Sequence, residues 1–307
     1  MKTYFLSQSV PDEAKAAVTA IGNFDGLHRG HMALLEITRK RALDAGKPFA
    51  VLTFEPHPRR LFRPDDAPFR ITPLPVKLQR LENSRADIVF VLDFDWETAH
   101  LTADDFIRKI LRDKLGLDEI VIGADFHFGQ NRSGSIESLQ EAGFHCTTLG
   151  LVKDASHAVY SATRVRGLLQ AGNIREANAL LGWNWEIQAK VEKGDQRGRE
   201  LGYPTANMPL GETIHPAYGI YASLVQIEGE TTWRMAASNI GIRPMFEAKV
   251  ALAETFIFDF DGDLYGKTLR VRPVEKLRDE AKFDSLDALK IQMAKDCEMA
   301  RNILSKA

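Results

Sequence analysis

The sequence predicts an α/β domain built on a mostly parallel sheet, followed by an antiparallel β-barrel that ends in a helix. Three observations lead there. Over the first half, short apolar runs alternate with segments of helical period. From Trp185 onward the runs become strand-like, with turns between them and few helix signals. A helical pattern returns only at residues 285–304, where Leu286, Leu289, Ile291 and Ile303 are among the apolar positions.

The first strand, residues 18–21, runs into Gly22, Asn23, Phe24, Asp25 and Gly26, then Leu27-His28-Arg29-Gly30-His31. A helix is expected from residue 32 to 42, with Leu34, Leu35 and Ile37 inward. Strand, glycine turn and helix start present backbone N–H groups and a positive dipole end, which suits phosphate. His28 and His31 share a face if the first helical turn begins there. Residues 49–54 form a continuous apolar run, as for a strand covered on both faces. It ends in Glu55-Pro56-His57-Pro58, either an ordinary stiff loop or a pocket wall. Residues 88–92 make another strand. Residues 102–115 read as a helix, with Thr102 and Asp105 at capping-box-like spacing. Residues 119–122 are a fourth strand, broken by the stretch 123–129 that carries Asp125, and residues 144–149 a fifth. Asp125 and Arg132 are candidate pocket residues, with a solvated loop charge as the other reading of Arg132. Such sheets bind ligands beyond their strand C-termini, so the motifs at Gly22, Glu55 and Gly123 are placed to share one crevice.

Two short helices follow, residues 161–169 and 174–181, with Asn173 as the N-cap and Gly182 as the C-cap of the second. The domain boundary is set between residues 1–182 and 183–307. In the second half the strand-like runs are 185–191, 219–227, 232–240, 250–260 and 268–274.

Composition narrows the function classes. The chain has 307 residues, enough for two cores, and a formal charge of −2, which argues against nucleic acid as a partner. Its two cysteines, Cys146 and Cys297, are far apart and give neither a disulfide framework nor metal-ligand spacing. No apolar run is long enough to cross a bilayer and no signal-peptide core is present, so a cytoplasmic protein without a membrane partner is expected. The sequence sets no oligomeric state.

The two halves suggest different chemistry. Nucleotidyl transfer needs charge stabilisation on the α-phosphate and on departing pyrophosphate, and in-line positioning of the attacking oxygen. If the nucleophile is itself a phosphate it needs no general base, and His28 and His31 then act as donors to phosphate. Arg166 is suited to clamp a triphosphate, with Ser161 and Thr163 adding hydroxyls. In the second half, Gly194, Gly198, Gly202, Pro204, Thr205 and Asn207 lie in one glycine-rich stretch. Either it is a plain barrel loop, or its N–H groups cover nucleotide phosphates while Thr205 and Asn207, two apart, hold a hydrated Mg²⁺ through oxygen. Glu254 is either a surface residue of an edge strand or an inward base for phosphorylating an alcohol.

The stretch GNFDGLHRGH resembles the HxGH nucleotidylyltransferase signature, and the FDG before it is similar to bacterial bifunctional riboflavin kinase/FAD synthetases. LTFEPHP at 52–58, GADFHFG at 123–129, SATRVR at 161–166, GDQRGRELGYPTANM at 194–208 and DFDGDLYGK at 259–267 match that family in the same order. The resemblance covers almost the whole chain. It implies a Rossmann-like FMN adenylyltransferase domain and a β-barrel riboflavin kinase domain, acting on riboflavin, FMN and ATP with Mg²⁺. It further implies ATP contacts for His28, His31, Ser161, Thr163 and Arg166, and Gly22 to Gly26 and Asp125 are expected in the same phosphate site. Metal and ATP contacts are implied for Thr205 and Asn207, and the base role for Glu254. Three positions depart from the family pattern. Ala162 stands where a second serine is usual, which either weakens adenylylation or leaves a backbone N–H to serve. Arg243-Pro244-Met245-Phe246 replaces N-P-T-F, and Asp125 replaces a frequent Asn. A kinase-only enzyme and a flavin-binding regulatory protein without turnover are the rival readings.

Overall fold

The computed structural model describes residues 1–194, 202–245 and 248–306. Packing divides the chain into two units, Met1–Asp66 with Thr72–Ser161, and Ala67–Ile71 with Ala162–Ala307. The helices after Ser161 therefore group with the second unit, and so does a short segment of first-half sequence.

The first unit is a six-stranded parallel sheet in the order β1-β4-β3-β2-β5-β6. Its strands are β1 (Lys2–Phe5), β2 (Val18–Ile21), β3 (Phe49–Glu55), β4 (Ile88–Asp93), β5 (Glu119–Gly123) and β6 (His145–Leu149). The five expected strands are present, and β1 adds an edge strand paired to β4. The helices are α1 (Arg29–Ala45), α2 (Pro58–Phe62), α3 (Leu74–Asn83), α4 (Trp96–Ala99), α5 (Ala103–Asp105) and α6 (Ile136–Glu141). Period-2 alternation along the strands separates two apolar layers. Ala20, Val51, Val89 and Val121 pack with Leu34 and Leu35 of α1 and Leu81 of α3. Ile21, Leu52, Phe90 and Ile120 pack on the other face with Phe106, Leu111 and Leu115.

Those last three residues belong to the expected helix 102–115, which takes an unexpected form. Thr102 caps it, accepting from the Asp105 N–H at 3.1 Å, but Phe106–Lys114 is π-helical. Phe106, Leu111 and Leu115 recur every four or five residues, and the wider turn keeps them on one buried face.

The second unit opens with α7 (Ala162–Gln170) and α8 (Ile174–Leu181). Gly182 ends α8 in the left-handed region at φ 78°, as expected, whereas the Asn173 side chain makes no capping bond. An antiparallel sheet follows in the order β7-β12-β9-β10-β11-β8. Its strands are β7 (Ile187–Lys190), β8 (Ala206–Pro209), β9 (Gly219–Ile227), β10 (Arg234–Met245), β11 (Ala248–Ile257) and β12 (Thr268–Arg278). A bridge between Glu192 and Asn207 brings the chain after β7 back to β8, so the barrel is nearly closed. The ladder of β10 with β11 runs through Arg243 and Met245, while Phe246 lies outside the described residues. Helix α9 (Leu286–Leu304) starts at Ser285, whose hydroxyl accepts from the Ala288 N–H, and is tied to β12 by a bidentate Arg278–Asp296 pair.

Candidate functional site

In the sheet order, β3, β2 and β5 are neighbours, so the loops after Glu55, Ile21 and Gly123 stand side by side at their C-terminal ends. The turn after β2 is tight. Phe24, Gly26 and Leu27 have φ values of 48°, 87° and 36°. Only glycine adopts such a conformation readily, so Gly26 suits its place while Phe24 and Leu27 are held there by full burial. Asp25 is buried and accepts from the Thr72 N–H at 2.9 Å and the Thr72 hydroxyl at 3.1 Å. The Gly26 N–H donates to Thr72 Oγ1 at 2.8 Å. Asn23 is exposed, and its carbonyl accepts from the Thr53 hydroxyl.

Helix α1 begins one turn earlier than the pattern of apolar residues indicated, with His28 as its N-cap. His28 Nδ1 accepts from the His31 N–H at 3.3 Å. The two imidazoles stack with centroids 3.8 Å apart and planes at 16°. Gly30 leaves them room, since a Cβ there would lie 3.1 Å from the His28 ring. Phe24 meets His31 edge-on at 5.3 Å. Burial, and then the His28 and Lys77 charges, hold His31 well below its ordinary value of 6.5, against an opposing pull from Asp25. His31 is thus a neutral imidazole at pH 7, fit to donate a hydrogen bond from N–H rather than to carry charge. Its Nδ1 is buried with no hydrogen-bond partner among the described residues.

Asp125 is exposed in the loop after β5, where its Oδ1 lies against Gly123. Ser161 is half-buried and ends the first unit. Thr163 and Arg166 lie on α7, in the second unit. Thr163 is exposed, and Arg166 donates its Nε–H to the Phe69 carbonyl at 2.9 Å with its guanidinium 5.5 Å from the Phe69 ring.

The second unit assembles its own row of side chains. Asn207 of β8 pairs with Glu254 of β11, and Glu254 pairs with Asn239 of β10. Residues directly opposite on adjacent strands point to the same face, so the three side chains form one line across the barrel wall. The Asn239 Nδ2 donates to Glu254 Oε2 at 3.4 Å. The Oδ1 atoms of Asn207 and Asn239 are buried without a hydrogen-bond partner among the described residues. Gly194 is required by this arrangement, because a Cβ there would fall 2.5 Å from the Asn207 Nδ2. Thr205 is half-buried, two residues before Asn207. Pro204 and Gly202 are exposed, and Gly202 has φ 84°. Gly198 lies outside the described residues. Among the described residues no three His, Cys, Asp or Glu side chains cluster to hold a metal.

Sequence reading missed two members of these sites. Asn239 sits mid-strand, and only the register reveals it. Lys77 is fully buried on α3, its Nζ bonded to Thr53 and Glu55. Its signal was a lysine one turn before Leu81 on an apolar stripe.

Comparisons with known proteins agree with this division. A family model for FAD synthetase matches residues 10–163, and one for riboflavin kinase matches residues 181–304. A bifunctional riboflavin kinase/FMN adenylyltransferase from Pseudomonas fluorescens is 39% identical, aligned over 94% of this chain and 93% of its own. The protein of the same description from Escherichia coli K12 is 39% identical over 96% and 94%. A solved chain described as a macrolide-efflux protein from Streptococcus pneumoniae is 31% identical, with a TM-score of 0.85 and coverage of 98% and 99%.

Proposed function

The chain belongs to the bifunctional riboflavin kinase/FMN adenylyltransferase family, and from that membership we propose how its residues divide the two reactions. The barrel phosphorylates riboflavin. Glu254 accepts the proton of the attacking hydroxyl, the new P–O bond forms at the γ-phosphorus of ATP, and ADP leaves. The parallel-sheet unit transfers the adenylyl group. A phosphate oxygen of FMN attacks the α-phosphorus of a second ATP, and pyrophosphate departs. That nucleophile is already ionised, so no base is required. The imidazoles of His28 and His31 and the N–H groups of residues 22–26 donate to the triphosphate. Ser161, Thr163 and Arg166 are assigned to the same reaction on the family resemblance, and Asp125 on its place in the loop after β5. The boundary between the two activities is placed at residues 182–183.

Mg²⁺ fits the second site. The orphaned Asn207 Oδ1 is a hard oxygen donor, and Thr205 stands two residues away. These two residues would hold the ion, which would offset charge on the ATP phosphates. Gly194, Gly198, Gly202 and Pro204 shape the loop beside them. We place the enzyme in the cytoplasm, with small molecules as its partners.

The pairing of Glu254 with Asn207 across β11 and β8 carries this reading, because it sets a carboxylate beside an unpartnered amide oxygen. The test is product analysis after incubation with riboflavin, ATP and Mg²⁺. FAD is expected. FMN alone would reduce the chain to a kinase, and no ATP consumption would leave a flavin-binding protein.

A further inference from the structure

The first unit holds a buried charge that the proposed chemistry does not use. Lys77 lies on α3 with its side chain fully buried. Its Nζ donates to Thr53 Oγ1 at 3.1 Å and to Glu55 Oε1 at 2.8 Å. The Thr53 hydroxyl in turn donates to the Asn23 carbonyl at 3.2 Å. One ammonium is therefore joined to the turn after β2 through a single intervening hydroxyl, and directly to the last residue of β3.

The segment leading into α3 makes a second attachment to the same turn, through the bonds of Thr72 with Asp25 and Gly26. Together the two attachments hold the turn on both sides of Phe24. A buried ion pair rarely adds stability over an apolar pair of similar volume. Backbone N–H groups that must meet a phosphate, by contrast, gain directly from being held in one geometry. The charged groups acting on His31 are His28, Asp25 and Lys77, so the ammonium also acts electrostatically on the histidine pair.

We infer that Lys77 is a positioning residue for adenylyl transfer, holding the phosphate-facing turn through Thr53 and the end of β3 through Glu55. The inference rests on the adenylyltransferase reading of the first unit. The full-length wild type is assayed for FMN adenylylation and riboflavin phosphorylation beside two variants, Lys77→Arg and the doubly neutral Lys77→Met/Glu55→Gln. The double variant removes the buried charge without stranding its partner. It is expected to keep a near-native melting temperature and native riboflavin phosphorylation, to lose about tenfold in adenylylation kcat, and to raise the NMR titration midpoint of His31. Native adenylylation in the folded double variant overturns the inference. Should that variant not fold, Lys77→Arg decides: a lowered kcat at native melting temperature supports positioning, and a native kcat overturns it. A wild type that forms no FAD overturns the adenylyltransferase reading instead, and the His31 titration still tests the link to Lys77.

Discussion

In the division of labour proposed above, the histidine turn of the first unit and the Asn207–Glu254–Asn239 row of the second both serve phosphate chemistry, yet by opposite means. The turn offers donors: backbone N–H groups at a helix start and two stacked imidazoles, one kept neutral by burial. The row offers acceptors: a carboxylate flanked by two amide oxygens without partners among the described residues. On that proposal, the difference follows from the nucleophile each serves. A phosphate arrives ionised and needs no base, and a carboxylate beside it would only repel it. An alcohol arrives protonated, and without a base it is a weak nucleophile.

The largest expected effect attacks the acceptor side. Glu254→Gln keeps the shape but loses the proton acceptor, and riboflavin phosphorylation should fall by about 10²–10⁴ while adenylylation of supplied FMN is unchanged. Separate initial-rate assays on riboflavin and on FMN check this, and equal loss in both would erase the contrast. Next is the donor side. His28→Ala removes a phosphate donor and the α1 cap together, so adenylylation should fall by about 10²–10³ with phosphorylation retained. The same pair of assays measures it. A finer test leaves every reacting group in place. Gly194→Ala drives a methyl into the Asn207 amide, and phosphorylation should drop by about tenfold with a raised Mg²⁺ requirement, read from rates against Mg²⁺ concentration.

The smallest effect concerns stability. The folded pKa of His31 lies below the unfolded value near 6.5. Above pH 6.5 neither state holds the proton, and the folded chain has no disadvantage. As pH falls through 6.5 the unfolded chain takes up a proton that the folded chain refuses, so stability declines, by at most about 1.4 kcal/mol per pH unit, until the folded pKa is reached. Melting temperatures at pH 7.5 and 5.5 should therefore diverge more in the wild type than in His31→Gln.

The core strands, the histidine turn and five of the six barrel strands were legible because each is a local pattern, whereas β8 (Ala206–Pro209) lay in the stretch read as a glycine-rich loop. Residues 49–54 announce a strand by themselves, and GNFDG announces a turn. What stayed hidden depends on partners distant in sequence. Strand β1 has a weak apolar pattern and exists because β4 offers an edge. Asn239 becomes a site residue only through its register with Glu254, and Lys77 only through Thr53 and Glu55. The π-helical form of Phe106–Lys114 is likewise settled by the face it must bury. The assignment of residues 67–71 to the second unit had no local signal at all.

That short segment has a consequence for how the protein is made. Arg70 bridges to Thr213, and the Ile71 carbonyl accepts from the buried Trp185 indole at 3.0 Å. The barrel unit thus includes five residues that leave the ribosome before residues 72–161 are synthesised, and it cannot be complete until the chain has doubled back to collect them. Synthesis from the N-terminus must hold this piece in reserve, whereas a fragment starting at residue 162 would lack it, leaving the Trp185 N–H without its acceptor. The two units are separate bodies of packing but not separable lengths of chain.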